Sequence, residues 1–338
     1  TTLEAKRAPA TNHNNNSSNT MSLRNALTSL NTPPVVVAAG AAVLSSLTFG
    51  GAAVTIPASL AAGLNLTAFL INLGAVSVPG RLDGEQDAEM RQGTLNPNKP
   101  SATRQTQEST PLRGSDNNNN NNNYSLARGR TLVSPSGWAF AIWAPIYLGE
   151  ACLVASQWIA PHILAPVLPQ ITLPFVAANL FQSLWCASFR PSYNQGWHLY
   201  VSPFMLAGTA YSLSQVNLQL LSAASSLDTS WTSGLLLLPL TVHFGWTTAA
   251  TLVNFNGSWA AVRDNSDSLV IAAGHSSALL ATAIGVGWTL TAATPAYGFT
   301  LAWALAACAD GMGKRLQNQG SSGSMSDALR TGTQVQNK

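Results

Sequence analysis

The chain alternates between long apolar runs and long polar ones, and the apolar runs come in lengths close to that of a membrane-crossing helix. Residues 33–78 contain no charged side chain and are long enough for two helices of about 20 residues. Pro57 lies near the middle of the run and reads as a hairpin between them. A second reading stays open: a cleaved targeting segment that begins at Met21, with Arg24 ahead of its apolar core, followed by one span near 58–78. After residue 134, six further apolar segments follow, near 137–158, 171–189, 199–222, 233–254, 268–290 and 294–311. Pro, Gly, Asn and Asp separate them, as expected where helices end. The pattern predicts an all-α, polytopic transmembrane bundle of seven spans, or eight if Pro57 divides the first run.

The polar runs complete the division. Residues 1–32 are rich in Asn, Ser and Thr, and residues 79–134 hold an unbroken Asn tract from Asn117 to Asn123. Neither has the apolar surface to offset the entropy of folding. The first is expected to be a disordered segment, the second a flexible loop, and residues 312–338 a disordered tail. One or two membrane helices then occupy 33–78, and the main bundle occupies 135–311.

Charge agrees with a lipid solvent. Only 9% of the chain is charged, against about 25% in soluble domains. Between Gly137 and Asp310 the charged residues are Glu150, Arg190, Asp228, Arg263, Asp264, Asp267 and Asp310, with no Lys. The loops 159–170, 223–232 and 291–293 carry no Lys or Arg. The alternate set carries Arg190, Arg263, the Arg128 and Arg130 end of the long linker, and Lys314 with Arg315. The positive-inside rule therefore places the linker and the C-terminus on the cytosolic side, or its stromal or matrix equivalent. It leaves plastid, mitochondrial and secretory membranes open. A net charge of +3, with no basic stripe, gives no case for nucleic acid. Cys152, Cys186 and Cys308 are far apart in apolar segments and form no disulfide framework.

The candidate chemistry lies in the apolar segments. All the Trp residues follow residue 137. Trp158, Trp197, Trp231 and Trp259 fall at predicted span ends, the place of an interfacial belt. Trp143, Trp185 and Trp246 fall deeper, where an indole N–H needs a partner. Gly137, Phe140, Trp143 and Tyr147 share one helical face, and so do Trp246, Ala250 and Asn254. Glu150 lies well inside its segment, a position that by default suggests function. His243 and His275 also lie within predicted spans; a lone membrane His is more often an interhelical hydrogen bond than a metal ligand. No His/Asp/Glu cluster has metal spacing, no catalytic grouping emerges, and no enzyme is expected. A retinal-type Schiff base fails for want of a Lys.

Two of these segments together resemble the TspO/MBR family, the tryptophan-rich sensory proteins that include the translocator protein. Pro135, Gly137, Trp138, Phe140, Trp143 and Tyr147 match the opening pattern of one family helix. Trp246, Ala250, Asn254 and Trp259 match the fifth. Between them, Gln182, Trp185 and Phe189 stand where the family has Asn, Trp and Phe, so Gln replaces Asn. The chain continues with two more apolar segments, as in a longer branch of the family. The resemblance implies a five-helix core plus two C-terminal helices. It also implies a ligand-binding membrane protein for tetrapyrroles such as haem or porphyrin, or similar flat lipophilic ligands, and a homodimer as a form in which the family is often found. The ligand set it suggests is Trp138, Phe140, Trp143, Tyr147, Trp185, Trp246 and Asn254, with His243 one turn before Trp246. A small-solute transporter and a structural subunit of a membrane complex are the alternatives; no internal repeat of the kind transporters show is apparent.

Overall fold

The computed structural model describes residues 31–50, 56–77, 131–188, 193, 196–223, 231–262 and 265–322. The expectations for residues 1–32 and 79–134, and the placement of Arg190 and Arg263, fall on residues outside these, apart from the few at the segment edges. Among the described residues the regular structure is helical. It comprises α1 (Pro33–Gly50), α2 (Ala58–Ser77), α3 (Trp143–Ile159), α4 (Leu168–Ala187), α5 (Val201–Ser222), α6 (Trp231–Ala261), α7 (Asp267–Ala292) and α8 (Pro295–Ser322). A 3-10 turn, Gly137–Ile142, runs directly into α3. The apolar run at 33–78 is thus two helices, with Pro57 just ahead of the second.

Among the described residues, four helices suffice by length and composition to cross a membrane: Ala58–Val76, Gly137–Ile159, Gly234–Ala261 and Asp267–Ala292. α4 and α5 fall short on apolarity for a physical reason. They bury Thr172, Asn179, Gln182, Ser202, Thr209, Ser212 and Asn217 inside the bundle, which lowers their mean hydropathy without exposing polar groups to lipid.

Two helix ends differ from expectation. α6 continues past Asn254 to Ala261. The Asn-Phe-Asn-Gly-Ser stretch looks like a break, yet its polar groups are absorbed by the helix and its neighbours. Asn254 and Asn256 donate to the carbonyls of Ala250 and Leu252, Asn256 also donates to Ser277 Oγ, and Ser258 Oγ donates to the Leu199 carbonyl. α8 runs to Ser322, so the tail expected to be disordered from residue 312 is helical in its first part. Polar residues from Gly313 onward carry no apolar signal, but a helix that leaves a membrane need not stop there.

The ends of α7 follow local rules. Ser266 Oγ accepts from the Leu269 amide, and Asp267 sits in the first turn, where the helix dipole favours an anion. The helix stops at Ala293, which takes the left-handed conformation at φ 49°, and Pro295 then opens α8.

The helices pack as a closed ring. α2 lies on α4, α4 on α5, α5 on α6, α6 on α3, and α3 on α2. α1 lies outside against α4 and α5, while α7 and α8 lie outside against α6 and each other. The ring α2–α6 matches the expected five-helix core, and α7 with α8 are the expected C-terminal addition. Ile146, Leu153, Phe175, Leu213 and Leu240 are fully buried within it.

Candidate functional site

The helix ring closes over a seam of polar side chains. Asn65 on α2 donates to Gln157 on α3 at 3.1 Å and to Thr172 on α4 at 3.3 Å. Two turns along, Asn72 on α2 donates to Asn179 on α4 at 3.0 Å. One turn further, Gln182 donates to the Tyr147 hydroxyl on α3 at 2.7 Å. The seam follows from register: Asn65 and Asn72, Thr172 and Asn179, and Glu150 and Gln157 are each seven apart, which returns a side chain to the same face.

The seam ends at a buried carboxylate–imidazole pair. His243 Nδ1 on α6 lies 2.7 Å from Glu150 Oε1 on α3, with the two side chains 1% and 0% exposed. Their meeting depends on a close helix crossing. A Cβ added to Gly149 would run into the ring of Pro239, so the missing side chain lets α3 and α6 approach. Pro239 is four residues before His243, and its missing N–H leaves the helix locally deformable. A carboxylate at such depth costs about 2.5–3.5 kcal/mol or more. Replacing one member of a buried pair typically costs about 3–5 kcal/mol.

An aromatic cluster adjoins the pair through Trp143. Trp143 stacks on Tyr147 with centroids 5.3 Å apart and planes at 22°. It meets His243 edge-on at 5.6 Å and Trp246 edge-on at 6.1 Å. Phe140 meets Trp246 at 5.7 Å. Four buried polar atoms here have no hydrogen-bond partner among the described residues: Glu150 Oε2, His243 Nε2, Gln182 Oε1 and Trp246 Nε1. Each such group costs about 1–3 kcal/mol. Unmet polar groups gathered among aromatic faces are what a polar-edged flat ligand satisfies.

The expected ligand set divides on this geometry. Phe140, Trp143, Tyr147, His243 and Trp246 come together. Trp138 does not join them: it meets Trp303 edge-on at 4.7 Å and donates to Asp310 at 2.8 Å. Trp185 packs into a separate cluster with Val36, Phe181, Val201 and Met205 where α1, α4 and α5 meet. Asn254 accepts from Ser202 at the start of α5. Glu150 and Gln182 belong with the first group. The depth of Glu150 is legible in the sequence, but nothing along the chain links it to a histidine 93 positions away. Gln182 stands at a motif position where the family has Asn, and its partner, Tyr147, only the fold reveals. Among the described residues, no three His, Cys, Asp or Glu side chains are grouped so as to hold a metal ion.

Compared with known proteins, the chain matches the sequence model of one family, TSPO-like protein, over residues 105–315. No curated protein and no solved structure matches it.

Proposed function

The chain belongs to the TSPO-like family, and from that premise we propose that it is an integral membrane protein that binds or carries tetrapyrroles, or similar flat lipophilic ligands, within the α2–α6 ring. One observation carries the reading: the cluster of Trp143, Tyr147, Phe140 and Trp246 gathers stacking surfaces around buried polar atoms that lack protein partners. A porphyrin offers a broad π face for offset or edge-on indole contacts and polar groups for the rest. In this reading the protein is a binder and not an enzyme, with Trp143, Tyr147 and Trp246 as the main contacts. Trp138, Trp185 and Asn254 support the bundle around them.

In the same reading all the helices cross the bilayer. α4 and α5 are about 30 Å long at 1.5 Å per residue, the thickness of the hydrocarbon core. An even number of spans puts the N-terminus, the long linker and the C-terminus on one side, the cytosolic, stromal or matrix side by the loop charges. A homodimer is part of the proposal, resting on the family alone.

The test is a fluorescence titration of purified, folded protein with protoporphyrin IX. Saturable quenching is expected, weakened at least about tenfold, or about 1.4 kcal/mol, by Trp143→Ala or Trp246→Ala. A linear, unsaturable response would overturn the reading.

A further inference from the structure

We propose that the Glu150–His243 pair is a site shared between a proton and a flat organic cation: an aromatic ring cation of fixed charge that bears N–H groups displaces a proton from the pair and lies against the rings of Trp143, Tyr147 and Trp246. This rests on the reading of the cluster as a ligand site, but not on the ligand being a tetrapyrrole.

Charge comes first. The helices α2 to α6 contain one charged side chain, Glu150, and no Lys or Arg. A lone carboxylate in an apolar interior is strongly disfavoured unless something neutralises it. Two things can. The pair can hold an extra proton, so that Glu150 and His243 together carry no net charge. Alternatively a cation supplies the positive charge, and the extra proton leaves to water. Both states are neutral, and they exclude one another.

The atoms left over fit the second state. When the Nδ1–H of His243 is donated to Glu150 Oε1, the remaining atoms Glu150 Oε2, His243 Nε2 and Gln182 Oε1 are all acceptors, all buried, and without partners among the described residues. An ammonium or aryl-amine N–H is a donor to each. Trp143 and Tyr147 are stacked beside the pair and Trp246 stands edge-on to Trp143, so the site presents π faces, the surfaces that attract organic cations.

Other titratable groups do not supply the counter-charge. On α3, Tyr147 lies one turn before Glu150, and its hydroxyl accepts from Gln182. On α4, Cys186 is buried. α2 brings only the amides of Asn65 and Asn72, and α5 faces the interior with Thr209, Ser212 and Asn217. On α8, the Tyr297 hydroxyl donates to Thr248, and His275 on α7 is exposed.

The experiment uses the full chain in detergent and ethidium, a flat aromatic cation with amino groups, titrated by fluorescence from about pH 5 to about pH 8. Protoporphyrin IX is titrated in parallel. Ethidium affinity is expected to rise by about tenfold per pH unit over part of the range, the slope for one proton displaced per cation. Proton release on ethidium binding, read with a pH indicator in weakly buffered solution, gives the same stoichiometry without any variant. Glu150→Gln, checked for helical content and monodispersity, is expected to flatten the pH dependence. Its affinity should fall at least about tenfold at the alkaline end. A pH-independent ethidium affinity with no proton released overturns the inference, as does a Glu150→Gln variant that keeps the wild-type slope. Saturable protoporphyrin binding without ethidium binding overturns it while leaving the ligand-site reading intact. If neither probe binds, both fall.

Discussion

α6 carries two aromatic clusters side by side, one facing the helix ring and one facing away from it, and they differ in what they do with charge. Inside, His243 and Trp246 meet Trp143, Tyr147 and Phe140. Outside, Phe244 meets Trp288 at 5.1 Å and Tyr297 at 4.4 Å, on α7 and α8. Both contain a buried indole N–H without a partner among the described residues, at Trp246 and at Trp288. An unpartnered indole therefore does not mark a site. What sets the inner cluster apart is the carboxylate–imidazole pair with two further open acceptor positions. The outer cluster is knitted by close packing instead. Gly245 lies where a Cβ would come 2.8 Å from Thr300 Cβ, and Gly285 where it would come 3.1 Å from Leu301. Tyr297 is fully buried. The inner cluster leaves buried acceptors open beside its rings; the outer one is apolar packing around the Trp288 indole.

The sharpest way to break this contrast is to remove half of the Glu150–His243 pair. Glu150→Leu leaves His243 buried with no partner and should cost about 3–5 kcal/mol. The double variant Glu150→Leu/His243→Leu should recover most of that loss, because two apolar side chains can pack where the pair was. Unfolding midpoints in detergent for the two singles and the double give the coupling. Purely additive losses would mean that the 2.7 Å contact contributes nothing as a pair.

Next come matched truncations of the two clusters. Tyr297→Ala should destabilise by about 3–5 kcal/mol, as for other large buried aromatics, while the folded fraction binds protoporphyrin as before. Trp143→Ala should do the reverse, since Trp143 is only half-buried. It should cost about 1–2 kcal/mol of stability and lose at least about tenfold in affinity. Equal effects of both variants on binding would erase the distinction. Comparable in stability cost to Trp143→Ala are the glycine variants. Gly149→Ala and Gly245→Ala each overpack a helix contact and should cost about 1–3 kcal/mol. Gly149→Ala alone should also weaken ligand binding, because it spreads α3 from α6 at the Glu150–His243 level.

Why some of this was legible in the sequence and some not is a matter of distance along the chain. Helix positions follow from apolar runs bounded by Pro, Gly and Asn, which are local. Hence α5, α7 and α3 with its leading 3-10 turn lie within a few residues of expectation. The local signal failed where polar residues were paid for by partners far away, as at Asn256 with Ser277 and Ser258 with Leu199. There a helix continued through what read as a loop. The same limit applies to the site. The stripe Phe140–Trp143–Tyr147 is visible because it has helical spacing. The approach of Gly149 to Pro239, which joins Glu150 to His243, is a property of two helices at once. Trp185 and Trp143 look alike as deep tryptophans, and only packing sorts them into different clusters.

The smallest expected effect concerns Trp138, and it tests the sorting itself. Its sequence position beside Phe140 and Trp143 places it in the family-type ligand set. In the fold it belongs to a joint that ties the start of the α3 segment to α8. The Ser136 amide donates to the Ala307 carbonyl at 2.9 Å, Trp303 Nε1 donates to the Ala139 carbonyl at 3.2 Å, and Trp138 Nε1 donates to Asp310, which also pairs with Lys314 at 3.1 Å. Trp138→Phe keeps an aromatic edge against Trp303 and removes only the bond to Asp310. That bond is exposed, and Lys314 remains to pair with the carboxylate, so the drop in unfolding midpoint should be the smallest of the series. Protoporphyrin affinity should not change. A loss of affinity comparable to that of Trp143→Ala would move Trp138 back into the ligand set, and would mean that the joint with α8 forms one wall of the site rather than a contact beside it.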